Sequence, residues 1–213
     1  MRMKVTLVDY GIGNVYSVQR ALETCGAQVL LSADPGEIEA SDRLVLPGVG
    51  AFADGMAGLR ERGLIDPILR YAATGRPLLG ICLGMQMLAT VSREFGEHQG
   101  LGLIPGHVVP LPATDVDGVA LKIPHTGWTA LLQPACTSWS DTPLEDTTEG
   151  EPVYVVHSFA VDPEDGRHRL ADCIYGGHRV CAAIRRDRVF GCQFHPEKSG
   201  PAGLRMVSRF LTC

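Results

Sequence analysis

Strand-like apolar runs alternate with helical patterns through the first half of the chain, and this alternation limits the possible folds more than any other feature of the sequence. Met3 to Val8, Ala27 to Leu31, Leu44 to Leu46 and Pro77 to Ile81 read as strands. Val15 to Thr24, Leu64 to Ala73 and Leu83 to Val91 carry apolar residues at helical spacing, with Val15, Val18 and Leu22 on one face of the first. Strands joined through helices pair in parallel, and helices on both faces then bury the sheet. From about Lys122 the rhythm changes to short strands at Pro152 to Val156, Asp172 to Tyr175, Val180 to Ile184 and Val189 to Phe194. Tight turns at Tyr175 to His178 and Arg186 to Arg188 make part of this later sheet antiparallel. A last helix starts near Pro201, where proline suits the first turn, and is expected to bury Leu204, Val207 and Leu211. The stretch from Pro134 to Pro152, rich in Pro, Thr, Asp and Glu, reads as a long surface loop. The expected fold is α/β, a three-layer αβα domain with a mostly parallel mixed sheet.

A chain of 213 residues fits one full hydrophobic core, since single domains run from about 100 to 250 residues, so we expect one domain over 1–213 and one active site. Apolar residues at 45% and charged residues at 20% exclude the disordered and fibrous classes. A net charge of −5 without any long Lys/Arg run offers nucleic acid no general attraction. The N-terminal MRMKVTLVDYGIGN has a short apolar run broken by Asp9, so it reads as a strand and not as a signal peptide, and no stretch approaches the length of a membrane span. The expected location is the cytoplasm. Cys25, Cys82, Cys136, Cys173, Cys181, Cys192 and Cys213 are odd in number and form no C-x-x-C pair, which fits reduced, mostly buried thiols better than a disulfide framework or a zinc site.

The segment RPLLGICLGMQML sets Gly80, Cys82 and Gly84 as G-x-C-x-G between an apolar strand and a helix. That is the cysteine form of a nucleophile elbow, a sharp turn holding its central side chain in a strained, exposed position. Side chains at 80 and 84 would crowd such a turn, and a helix N-terminus just beyond it favours negative charge on the sulfur. Alone, the motif is equally well explained by a buried cysteine at a Gly-rich strand end. It has company near the C-terminus, where GCQFHPEKSG puts His195 and Glu197 after an apolar strand. Residues two apart on extended chain point the same way, so Glu197 can bond one imidazole nitrogen while the other faces the thiol. A Cys-His-Glu triad of this kind removes the thiol proton and later returns it to a leaving group. LVLPGVGAF supplies the turn that acyl transfer also needs, with Gly48 and Gly50 letting N–H groups turn inward and the Leu83 amide as second donor to an oxyanion. Gly11-Ile12-Gly13-Asn14 lacks the third glycine of a dinucleotide fingerprint. No cofactor or metal is expected, because side chains supply both nucleophile and acid/base group.

Through PGVG, GICLGMQ and QFHPEKS the whole chain resembles the class I (triad-type) glutamine amidotransferases, whose fold is flavodoxin-like. Through DYGIGN, PGVGAF, GLGLIPG, PHTGW, YVVHSF and HPEKSG it looks closest, within that family, to the glutaminase subunits of imidazole glycerol phosphate synthase, in histidine biosynthesis. The resemblance implies a triad of Cys82, His195 and Glu197 that releases ammonia from glutamine. It implies that Gly50 and Gln86 hold the glutamine and that Ser158 and Phe159 line the same pocket, the phenylalanine giving up a hydroxyl contact that relatives often have. It implies that Val49 lies in an oxyanion strand that must rearrange for full activity. Asn14, Trp128, Tyr154 and Lys198 match positions that face a (β/α)8-barrel cyclase partner, with which the chain would form a heterodimer. A short chain without a nucleotide motif needs such a partner to consume the ammonia. PHTGW and YVVHSF argue against the glutaminases of anthranilate or aminodeoxychorismate synthase; a sugar-amidation paralogue or a non-catalytic flavodoxin-like module stay open alternatives.

Overall fold

The structure, a computed structural model, describes residues 3–213; Met1 and Arg2 of the expected span lie outside the described residues. In chain order the elements are β1 (Lys4–Val8), α1 (Val15–Thr24), β2 (Gln28–Ser32), α2 (Pro35–Glu39), β3 (Arg43–Leu46), α3 (Phe52–Glu61), α4 (Ile65–Ala73), β4 (Leu78–Ile81) and α5 (Leu83–Met87). They continue with β5 (Ala89–Ser92), β6 (His98–Gln99), β7 (Ile104–Pro110), β8 (His125–Ala130), β9 (Pro152–His157), β10 (Phe159–Pro163), β11 (Arg169–Tyr175), β12 (His178–Arg186), β13 (Val189–Cys192) and α6 (Gly200–Phe210).

The main sheet has the order β11-β12-β13-β4-β3-β1-β2. Its β2-β1-β3-β4-β13 portion is parallel and its β13-β12-β11 edge antiparallel, as the change of rhythm in the sequence implied. Both faces are buried along β1, β3, β4 and β13, as a parallel sheet requires, while the edge strand β2 leaves Leu30 and Leu31 exposed. Val5, Leu7, Val45, Leu79 and Ile81 pack with Val18 and Leu22 of α1 and Met206, Val207 and Phe210 of α6. Val8, Leu44, Leu46 and Leu78 face the other way, toward Ile38, Phe52, Met56, Leu59, Ile68 and Tyr71 of α2, α3 and α4. This second layer also holds a four-stranded sheet, β10-β7-β5-β6, whose Ala89, Ile104, Val108 and Val161 join the same core.

Several elements depart from the sequence reading. The helix expected over Leu83 to Val91 stops at Met87, and Ala89–Ser92 is a strand. The β-branched Thr90 and Val91 suit a pleated surface, and β5 finds partners in β7 and β6 that local pattern does not reveal. Leu204 is half-buried; the inward face of α6 is set by Ala202, Met206, Val207 and Phe210. The stretch from Pro134 to Pro152 has no helix or strand before β9, but it is not merely a surface loop. Trp139 is 5% exposed and packs in the core beside Leu144, with its indole N–H donating to the Leu170 carbonyl at 2.7 Å. Arg205 and Arg209 of α6 pair with Glu151 and Glu145 at its edge.

The parallel strands deliver their C-terminal ends to one rim of the sheet, where ligand sites form in open α/β folds. Tyr10 follows β1, Pro47 to Gly50 follow β3, Cys82 follows β4, and Gln193 to His195 follow β13.

Candidate active site

Cys82 sits between β4 and α5 with φ 54° and ψ −111°, a strained conformation for a residue with a Cβ. The flanking glycines are required by space. A Cβ on Gly84 would lie 1.9 Å from the Leu46 carbonyl oxygen, and one on Gly80 would lie 2.7 Å from the Gly84 carbonyl. The Cys82 amide is tied to the Cys192 carbonyl at 2.8 Å, which fixes the elbow to β13.

His195 stands on that neighbouring strand's extension. Its Nδ1 lies 2.8 Å from Glu197 Oε1, with both side chains almost fully buried. The connection is a turn and not the extended chain expected, since Pro196–Lys198 form a 3-10 helix closed by the Lys198 N–H on the His195 carbonyl. Proline at its first position fixes φ and favours that turn. The Ser199 hydroxyl donates to the His195 carbonyl at 2.7 Å and accepts the Tyr154 N–H at 3.0 Å, anchoring the turn to β9. Burial opposes charge on the His195 ring, but the adjacent Cys82 and Glu197 outweigh it and push the imidazole up to about 9. By contrast, desolvation pushes the buried thiols of Cys173 and Cys181 up to about 11 and 12. Those two have no imidazole of this kind beside them and act as small apolar side chains.

Cys82 and His195 open on one cavity of about 310 Å³, lined also by Val49, Gly50, Leu83, Gln86, Glu94, Ser158 and Phe159. It therefore gathers the expected nucleophile, base, oxyanion segment and substrate contacts. One arrangement was not expected: the Leu83 N–H donates to the Gly48 carbonyl at 3.3 Å. Gln86 donates to the Phe159 carbonyl at 3.2 Å and to Gln193 Oε1 at 2.9 Å, and Gln193 Nε2 reaches the Cys82 sulfur at 3.6 Å.

Four cavity or supporting residues escaped the sequence reading. Glu94 accepts the Phe52 N–H at 2.6 Å, capping α3 while bordering the cavity; it lies just past β5, where a helix was expected to have ended, and carries no motif. Tyr10 is buried and donates to the Pro47 carbonyl at 2.7 Å, bracing the PGVG turn; only its place in DYGIGN marked it. His157 borders the cavity from β9. Gln193 is fully buried, and its spacing of two from His195 was the available signal.

The expected partner-facing residues lie outside this cavity. Trp128 is 58% exposed on the β8-β9 ribbon and meets Tyr154 edge-on with ring centroids 6.0 Å apart. Lys198 Nζ lies 5.9 Å from the Tyr154 ring centre, so these three form one patch. Asn14, at the start of α1, accepts the Ser17 hydroxyl at 3.0 Å.

A strained cysteine, a carboxylate-held imidazole and a PGVG turn around one cavity match what a family comparison finds independently: the model of the glutamine amidotransferase class-I family matches residues 6–212. The chain belongs to that family. Among relatives of this glutamine amidotransferase, the imidazole glycerol phosphate synthase subunit HisH 1 of Legionella pneumophila (strain Lens) is 50% identical over 208 residues, covering 97% of this chain and 98% of the relative. The imidazole glycerol phosphate synthase subunit HisH of Syntrophotalea carbinolica is 46% identical over 209 residues, covering 97% and 98%. Among solved structures, PurLQS from Thermotoga maritima superposes with a TM-score of 0.72 at 21% identity over 99% of this chain and 98% of that one. A crystal structure of a glutamine amidotransferase gives 0.70 at 18% identity over 98% and 99%. At those identities the two structures speak for the fold, which is that of the amidotransferases.

Proposed function

We propose that this chain, read as one glutaminase domain over 1–213, is the glutaminase subunit of imidazole glycerol phosphate synthase and hydrolyses glutamine with Cys82, His195 and Glu197. The observation that carries the reading is the convergence of Cys82 and the His195–Glu197 pair on one cavity, in a chain half-identical to named HisH subunits over nearly its whole length. The Cys82 sulfur attacks the side-chain amide carbon of glutamine. The tetrahedral oxyanion collapses to a γ-glutamyl thioester as His195 protonates the departing ammonia, and His195 then takes a proton from the water that releases glutamate. Glu197 fixes the ring through Nδ1 and steadies its cationic form. Gly50, Gln86, Ser158 and Phe159 contact the substrate, and the Glu94 carboxylate offers its α-ammonium group a counter-charge. Val49, Gly50 and Leu83 supply the oxyanion segment.

Ammonia formed here needs an acceptor, and we read the Trp128, Tyr154 and Lys198 patch, with Asn14, as the surface toward a (β/α)8-barrel cyclase in a heterodimer. The location that fits such a pathway is the cytoplasm; among the described residues no helix is long and apolar enough to cross a membrane. The reading is tested by expressing the chain in a histidine auxotroph lacking its HisH. Rescue by the unchanged chain and not by Cys82→Ala is the expected outcome. Growth with Cys82→Ala, or rescue of a sugar-amidation mutant in place of the histidine auxotroph, would overturn it.

A further inference from the structure

We propose that Gln193 is a further catalytic residue, an N–H donor that holds the Cys82 sulfur in its attacking position and solvates it when it carries charge; the proposal rests on the triad reading and deepens it. The Gln193 side chain is 0% exposed, and its Nε2 lies 3.6 Å from Cys82 Sγ, within reach of an N–H···S bond. The orientation of the amide is dictated by its neighbours. The Phe159 carbonyl can only accept, so Gln86 must present its NH2 group there, at 3.2 Å. The second hydrogen of that NH2 group points at Gln193, whose oxygen must therefore face it, at 2.9 Å. The Gln193 NH2 group is left to face the sulfur. The backbone holds the same register: the Gln193 N–H donates to the Ala182 carbonyl at 2.9 Å, immediately beyond β13.

The chain Phe159 carbonyl, Gln86, Gln193, Cys82 thus joins the wall of the substrate cavity to the nucleophile through groups that cannot be reversed one at a time. Gln86 borders the cavity, so a substrate that orients its amide also orients Gln193. A buried amide facing a sulfur has no water to compete with it, and bonds to a charged partner are stronger than those to a neutral one.

Four enzymes, each in complex with the partner subunit, test the idea: the unchanged chain, Gln193→Leu, Gln193→Glu and Cys82→Ala. The readouts are glutamine turnover, and the rate of Cys82 alkylation by iodoacetamide followed by peptide mass spectrometry across a pH series. Loss of one hydrogen bond to a charged sulfur should slow both by roughly 10- to 100-fold, with KM for glutamine changed by less than about threefold and the alkylation profile displaced to higher pH. Gln193→Glu keeps the volume and the acceptor toward Gln86 but removes the donor, so it should react at least as slowly. A purely packing role would leave the pH profile in place. Alkylation at the unchanged rate in either folded Gln193 variant overturns the proposal. If Cys82→Ala is inactive while Gln193→Leu is not impaired, only the role of Gln193 fails; if Cys82→Ala retains turnover, the triad reading fails with it. Should both Gln193 variants misfold, the unchanged chain still decides, because the Gln193 side-chain NH2 resonances must shift when Cys82 is alkylated, and unmoved resonances overturn the proposal.

Discussion

The Leu83 amide donates to the Gly48 carbonyl at 3.3 Å, so the N–H group proposed above as an oxyanion donor beside Cys82 is already occupied. Freeing it requires the Gly48 carbonyl to turn away. That carbonyl and the Val49 N–H belong to one planar peptide unit, so the same rotation brings the Val49 N–H to the side the oxygen leaves. One movement exchanges an acceptor for a donor and completes a pair. In its resting form the isolated chain should therefore hydrolyse glutamine slowly. Binding of the partner subunit with its ligand should raise the rate by about 100-fold or more, the usual worth of an oxyanion donor. Glutamate release measured with and without partner checks this, and a high basal rate would sink it.

Cys82→Ala should abolish glutamine hydrolysis and leave the thermal midpoint almost unchanged, since the residue still adopts φ 54° and only the sulfur is lost. Gly84→Ala should do the reverse of sparing the fold. Its new methyl group would fall 1.9 Å from the Leu46 carbonyl, and a backbone atom cannot step aside as a side chain can. We expect a loss of roughly 3 kcal/mol, read as a lowered denaturation midpoint in urea. A Gly84→Ala protein as stable as the unchanged chain would contradict the close approach of α5 to β3.

His195→Asn should slow thioester formation by several orders of magnitude, roughly as for other triad knock-outs, observed by quench-flow with mass detection of the γ-glutamyl enzyme. The ring also has a signature in stability. Its pKa is raised from 6.5 to about 9 in the folded chain by Cys82 and Glu197, against burial. A base with a raised folded pKa stabilises most below its unfolded value, and that contribution fades as pH climbs from about 6.5 through about 9. The stability gap between the unchanged chain and His195→Asn should therefore shrink over this window in thermal melts; a constant gap would mean that the ring carries no extra proton.

The legible parts of this protein were those whose causes are local. Gly80 is required by Gly84 only four residues on, and the GCQFHPEKSG string carries His195 and Glu197 two residues apart. The turns at Gly176-Gly177 and Asp187 have positive φ and were visible as hairpins. What could not be read depends on partners distant in sequence. The strand character of Ala89–Ser92 is decided by β7, the burial of Trp139 by the Leu170 carbonyl thirty-one residues on, and the role of Glu94 by the Phe52 amide. The occupied Leu83 N–H lay beyond any pattern, because a peptide's orientation leaves no mark on residue identity.

His157 gives the last prediction. It is 6% exposed, its Nδ1 lies 2.8 Å from the Phe159 carbonyl, and its Nε2 has no hydrogen-bond partner among the described residues. Across the ribbon His125 faces it, with ring centroids 5.4 Å apart. Burial is the main cause that lowers the His157 pKa to about 4; the Phe159 carbonyl opposes the shift, while charge on His125 or His195 adds to it. The Phe159 carbonyl only accepts, so the neutral ring carries its proton on Nδ1. Unfolded, the same histidine binds a proton near pH 6.5, so between about 6.5 and about 4 the unfolded state holds more protons than the folded one. Stability then falls as pH falls through that window, by at most about 1.4 kcal/mol per pH unit for one group. His157→Phe removes the titrating group and should flatten the acid limb of a stability-against-pH curve measured by urea denaturation. It leaves the limb above neutrality, which belongs to His195, in place. An acid limb as steep in His157→Phe as in the unchanged chain would show that this ring is already protonated when folded, and would require its Nε2 to have a partner.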